Sequence, residues 1–222
     1  MIILKGIRMT NLKKPAFTMV ELVMVIVVLG ILAALALPRL DRDLRQEAED
    51  NLLSAIRYTQ HLALIDDKTD PRDTNWLQEL WQIRFSADGS GGFFYTISSD
   101  SDQDGSVDKN ETAIDPANGR YMYNLGGSDT IDADESPNIF LAKKYNVDSV
   151  ALTDGCAAAQ HVAFDHLGRP YNSIGTTSVG GASNDYAQYM TSDCTITVGF
   201  NDDDIADLII TVAKETGHAS AD

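Results

Sequence analysis

The sequence predicts an α+β protein with one long N-terminal helix. The first half of that helix is expected to span a membrane, and the second half to pack on an antiparallel β-sheet head. Three observations carry this prediction. From Phe17 to Leu37 every side chain is apolar, small or hydroxyl except one carboxylate, Glu21. That run leads straight into a segment whose apolar residues recur at spacings of three and four. Further on, short β-branched and aromatic runs come in pairs separated by acidic or glycine-rich turns.

The apolar run is 21 residues long and reaches roughly 30 Å at helical rise, about the thickness of a bilayer core. Lys5, Arg8, Lys13 and Lys14 precede it with no acidic residue, so the positive-inside rule places the N-terminus in the cytoplasm and sends the remainder outward. A secretory signal fits less well, because Pro38, Arg39 and Leu40 continue into more helix pattern where a cleavage site would stand. Leu40, Leu44, Ala48, Leu52, Ala55 or Ile56, Thr59 and Leu62 or Ala63 then form a single apolar stripe with charges between them. Helix propensity collapses at IDDKTDPRD, where three aspartates precede and flank Pro71.

The remaining chain, about 155 residues, suits one head domain. WQIRFS and FFYTISS, separated by ADGSGG, read as one hairpin, and CTITVGF with IADLIITVA, separated by NDDD, as another. HVAFDHLGRPYNS supplies a further strand and a turn at Leu167 to Pro170. Residues 172–191 are rich in Gly, Ser, Asn and Thr and read as a long loop.

The net charge is −16, and residues 17–222 alone carry −20, which argues against nucleic acid as a partner. Both cysteines, Cys156 and Cys194, fall on the expected exported side, where one disulfide is the simplest reading. No nucleophile elbow, P-loop or H-E-x-x-H pattern is present, so no enzyme activity is expected. A zinc site from Cys156, His161, His166 and Cys194 is disfavoured, because in a strand the two histidines point to opposite faces. Trp76, Trp81, Tyr121 and Tyr123 read as core or half-buried residues.

A lone carboxylate in hydrocarbon costs about 2.5 to 3.5 kcal/mol on insertion scales, so Glu21 needs a partner. Cutting between Ala16 and Phe17 would create an α-amine four residues before it. These residues, KKPAFTMVELVMVIVVLGILAALALP, resemble the class III signal of type IV pilins and pseudopilins: a basic leader, a small residue at the cut, Phe, and Glu fifth in the mature chain. The resemblance implies the pilin fold, with a leader at 1–16, a transmembrane and assembly helix at 17–38, an amphipathic extension at 39–66 and a β-rich head at 67–222. It implies that a prepilin peptidase cuts after Ala16 and methylates the amine of Phe17, and that Glu21 docks the subunit against its neighbours in a filament. Ala16 departs from the usual glycine, and a start at Met9 would give a shorter leader, more like those of the family. Gly30 and Pro38 also match family positions; both weaken the helix, so the stretch between them is expected to bend or melt. HVAFDHLGRP, with Phe and Gly four apart, and the strands after it are similar to the H-type minor pseudopilin and FimT-like branch. The DNA binding of some relatives is not implied, since KETGHASAD lacks their basic tail.

DSDQDGSVDKNE, residues 100–111, fits the spacing of an EF-hand calcium loop. Asp100, Asp102 and Asp104 offer side-chain oxygens, Gly105 permits the sharp turn, and Ser106 offers its carbonyl. Asp108 binds directly or through water, and Glu111 closes the shell with two oxygens. Every donor is hard oxygen, which selects calcium over zinc. The flanks read as strand and turn, so an EF-hand-like loop on a sheet is expected. The second acidic stretch, 126–138, lacks the spacing and reads as a solvated loop, with a second calcium site as the alternative.

The expectation is an exported subunit of a type IV pilus or type II secretion pseudopilus, a minor one by its resemblance. It sits in the inner membrane with its head in the periplasm until assembly, and its partners are other pilin subunits and the peptidase. The alternative is a calcium-dependent adhesin or binding module mounted on a pilin helix; a membrane-anchored hydrolase ranks third.

Overall fold

Helix α1 runs from Met19 to Ile65. A computed structural model describes residues 18–222, apart from 74, 125, 126, 129, 158, 159, 173 and 175–188; within α1 the side chains of 34–43 are likewise outside the description. The Ala16 and Phe17 readings therefore lie outside the described residues, as does the side chain of Pro38. The chain divides into two units, Met1–Leu40 and Asp41–Asp222, each described by itself.

In the first unit, Thr18 starts the helix: its hydroxyl accepts a hydrogen bond from the Glu21 amide at 3.3 Å, and its carbonyl accepts from Leu22. The side chains of 18–33 are all exposed, the large hydrophobics among them from 84 % at Met19 to 48 % at Val23, Val25 and Val28. The expectation of a membrane-spanning first half, and with it of a single-pass inner-membrane protein, is corrected here. Among the described residues no helix is long and apolar enough to cross a membrane. The backbone is helical through Gly30 to Pro38, so the expected melting of this stretch is not seen.

In the second unit, α1 buries Ala48, Leu52, Ala55, Ile56, Thr59 and Ala63, one stripe at spacings of three and four. Polar side chains on its flanks reach loop and strand carbonyls. Arg45 donates to Asp222 at 2.9 Å, Arg57 to Ala219 at 3.1 Å, and Gln60 to both Gly168 and Thr216, at 2.9 and 2.7 Å. The helix ends where aspartates offer the backbone a competing partner. Asp67 accepts from the Thr69 amide and Asp70 from the Arg72 amide, each two residues on, and Asp66 takes the indole N–H of Trp81.

The head holds two four-stranded antiparallel sheets, where the sequence suggested one. The first has the order β2-β1-β4-β5, from β1 (Trp81–Ala87), β2 (Phe93–Ser98), β4 (His161–Phe164) and β5 (Pro170–Tyr171). The second has the order β3-β6-β7-β8, from β3 (Val147–Asp154), β6 (Cys194–Phe200), β7 (Leu208–Val212) and β8 (Ala219–Ala221). Both expected hairpins form, β1 with β2 and β6 with β7. Helix α2 (Leu141–Tyr145) stops at Asn146, which takes the left-handed conformation (φ 59°) that Asn tolerates, and leads into β3.

The reason for two sheets is a shared core that one face could not enclose. Ile83, Phe85, Tyr95, Ile97, Val162 and Phe164 come from the first sheet. Cys194, Ile196, Val198, Leu208, Ile210 and Val212 come from the second, and all join one cluster with the α1 stripe. A smaller cluster of Trp76, Leu77, Leu80, Ala163, Tyr171 and Ile174 lies at β4 and β5. Gly217 (φ 65°) permits a close approach, since a Cβ there would stand 2.4 Å from the Gly168 carbonyl oxygen. Cys156 and Cys194 form the disulfide, tying the end of β3 to the start of β6 over a separation of 38 residues. In the chain-entropy account such a closure stabilises by about 4 kcal/mol.

Candidate metal centre

Strand β2 delivers the chain into the acidic loop with Ser98 and Ser99 buried, and the Ser99 amide donates to the Glu111 carbonyl, closing the loop at its neck. Within it the backbone turns left-handed at Gln103 (φ 58°) and at Gly105 (φ 86°). Those two turns curl the chain so that successive amides point back at the acids. Gly105 donates to Asp100 Oδ2 at 3.1 Å, Asp104 to Asp102 Oδ1 at 3.1 Å, and Ser106 to Asp104 Oδ1 at 2.8 Å. Asp100, Asp102 and Asp104 thereby bring one oxygen each within 4.8 Å of one another.

Their environments differ. Asp100 is buried at 2 % exposure, whereas Asp102 and Asp104 face solvent. Asp100 Oδ1 is buried and, among the described residues, has no hydrogen-bond partner. Burial raises the Asp100 pKa, and the Glu111, Asp102 and Asp104 charges push the same way against the Gly105 amide. The hydroxyl and amide of Ser106 pull Asp104 below its ordinary value. A buried, donor-less carboxylate oxygen facing two further carboxylates is the coordination chemistry of a hard cation, so these residues fit calcium.

The structure does not bring the whole expected ligand set together. Among the described residues the three-acid group excludes Asp108 and Glu111. Glu111 is spent on the backbone: Oε1 accepts from the Ser101 amide at 2.8 Å, the Ser101 hydroxyl at 3.0 Å and the Asp102 amide at 3.2 Å, and Oε2 from the Asp108 amide at 3.0 Å. Burial opposes its ionisation, but those bonds hold its pKa below the ordinary value. Through those bonds it clamps the loop. Ser106 donates its amide and its hydroxyl to Asp104 Oδ1, at 2.8 and 2.6 Å.

Neighbouring contacts that the sequence did not signal hold the loop. Gln103 donates through one nitrogen to Asp73 at 2.5 Å and Glu79 at 2.6 Å. Lys109 pairs with Asp134 at 2.9 Å, its ammonium 5.9 Å from the Tyr121 and Tyr123 ring centres. The stretch 126–138 is therefore partly built in rather than wholly solvated: Glu135 and Ser136 are buried, and Ser136 and Asn138 donate to the buried carboxylate of Asp115. Glu21 and Gly30 sit on the exposed part of α1, away from any described partner except the Thr18 cap. His166 meets Asp67 at 3.2 Å and Thr69 at 2.9 Å, and His161 is buried, while both cysteines are consumed by the disulfide. No family model, no curated protein and no solved structure matches this chain.

Proposed function

We propose that this chain is a structural subunit, a minor one, of a type IV pilus or type II secretion pseudopilus. A prepilin peptidase cuts it after Ala16, other subunits join it through the first part of α1, and calcium stabilises its head. The observation that carries the reading is the uncovered apolar surface of α1. Every described side chain from 18 to 33 is exposed, and nearly all are large hydrophobics, with one charge among them, Glu21. A surface of this kind is costly in water and marks an interaction site. Like helices from other copies cover it by packing apolar side chains. The α-amine of a cut Phe17 then neutralises Glu21 of a neighbour and sets the axial register, because a desolvated, unpaired carboxylate is heavily penalised.

The test is Glu21→Ala in a strain whose filaments can be sheared and collected. The variant's head should melt at the wild-type temperature, and the subunit should be absent from the filaments. Wild-type levels of the variant in sheared filaments would defeat the reading. A second reading, a calcium-dependent binding module carried on the same helix, is favoured by the cavity that adjoins the acidic loop.

A further inference from the structure

Arg84 lies in the middle of β1, opposite Thr96 of β2 and His161 of β4. Strand alternation puts Gln82, Arg84 and Ser86 on one face with Phe94, Thr96, Ser98, His161 and Ala163, a mostly polar set, and Ile83 and Phe85 on the other. The first face is polar and yet largely covered: Gln82, Thr96, Ser98 and His161 are all buried and Arg84 is half-buried. The Arg84 guanidinium donates to Gln82 Oε1 at 3.2 Å, and among the described residues no carboxylate reaches ion-pair distance of it. In a chain with 33 acidic residues, a partly desolvated cation without an acid is a conspicuous omission.

Arg84 opens into a cavity of about 560 Å³, within the range of small-ligand sites. Ser86 and Thr96 line it beside the arginine, and Tyr123 and Asn124 line it too. Asn124 is buried, its amide nitrogen donates to the Ser128 carbonyl, and its Oδ1 is buried without a donor among the described residues. The cavity thus offers a fork for a planar anion, an acceptor waiting for a hydroxyl or amide, small hydroxyls between them and an aromatic ring. Ser106 and Asp108 of the acidic loop line it as well.

We infer that this cavity binds a carboxylate-bearing sugar, its carboxylate on Arg84 and a neighbouring hydroxyl on Asn124 Oδ1, and that calcium in the adjoining loop tightens the binding. A carboxylate matches the guanidinium fork in bidentate fashion. A doubly charged phosphate would suffer more from Asp108 in the same cavity. Several hydroxyls on one ring answer Asn124, Ser86 and Thr96 together. Calcium offsets the negative charge of the loop that would otherwise repel the ligand; this clause rests on the calcium reading of the loop given above.

The test is titration calorimetry of the full chain, in a mild detergent that covers the apolar helix, with D-glucuronate as probe and D-glucose as the uncharged control. Each is run in calcium and in chelator. The expected dissociation constant is on the order of millimolar for a ligand of this size. Arg84→Gln should weaken it by at least about tenfold, and glucose should give no heat. Asn124→Leu removes the orphan acceptor together with the bond to the Ser128 carbonyl, and the folded variant should also weaken glucuronate. Absence of glucuronate binding to the wild-type chain, or equal binding by a folded Arg84→Gln, would overturn the site. Intact glucuronate binding with no calcium heat in a separate titration would sink the calcium reading and leave the Arg84 site standing.

Discussion

Single residues in this head are decided by what surrounds them rather than by their type, and His161 is the clearest case. It is buried, both ring nitrogens lack partners among the described residues, and burial together with the Arg84 charge lowers its pKa to about 3. Because the folded value lies below the ordinary one, the unfolded chain takes up the proton first. The stability tied to neutral His161 is complete above about pH 6.5 and is lost as the pH falls toward 3, amounting to about 3 kcal/mol at pH 4. Urea unfolding at pH 7 and pH 4 should show this loss in the wild type and a loss smaller by that amount in His161→Leu. Equal pH sensitivity in the two proteins would refute the assignment. At this scale the sequence showed the acidic loop by residue type and spacing, including the glycine that turns at φ 86°. The diversion of Glu111 to backbone amides was illegible, because a ligand and a clamp demand the same carboxylate at the same position.

Elements follow the pattern where burial is one-sided. The stripe of α1 was legible because a helix that covers a sheet must place apolar residues every three or four positions, and Ala48, Leu52, Ile56, Thr59 and Ala63 do so. Leu52 is fully buried at the centre of that stripe. Leu52→Ala should cost about 2 to 5 kcal/mol, read as a lower denaturation midpoint, since the cavity it leaves in the shared core collapses only in part. A loss below about 1 kcal/mol would mean that the helix is not packed there. Strand β3 was not legible, for a specific reason: a register shift between Val147 and Ser149 moves the inward parity, so that buried Val147 is followed by half-buried Val150 and Leu152 on even positions. Strand β8 is Ala-Ser-Ala and carries no strand signal at all; its pairing with β7 and the reach of Arg57 to the Ala219 carbonyl place it.

Across the whole head the acidic loop is a junction, so the calcium proposed for it would act as a global stabiliser. Gln103 ties it to Asp73 and Glu79, Lys109 ties it to Asp134, and Ser99 ties its neck to the 3-10 turn of Trp76–Glu79 by donating to the Glu79 carbonyl. Calcium at a hundred times its dissociation constant should stabilise the fold by about 2.7 kcal/mol, so a chelator should lower the melting temperature measured in its presence. Asp100→Asn should abolish the difference between calcium and chelator while leaving the chelator value near or above wild type, because it removes one charge from a crowded, buried position. Identical melting with and without calcium in the wild type would dismiss the metal.

Composition and periodicity by themselves determined a helix with one apolar stripe, two hairpins, a cysteine pair able to close a loop, and an acidic turn with the spacing of a cation site. These are local facts, set by side-chain period and by residue chemistry within a few positions. Only the tertiary structure decided that the strands divide into two sheets around one core, that three acids converge while Glu111 braces the loop, and that Arg84 is left without an acid beside a cavity. Each of those depends on which distant segments meet, and the burial that makes an unpaired oxygen or cation costly exists only once they have met.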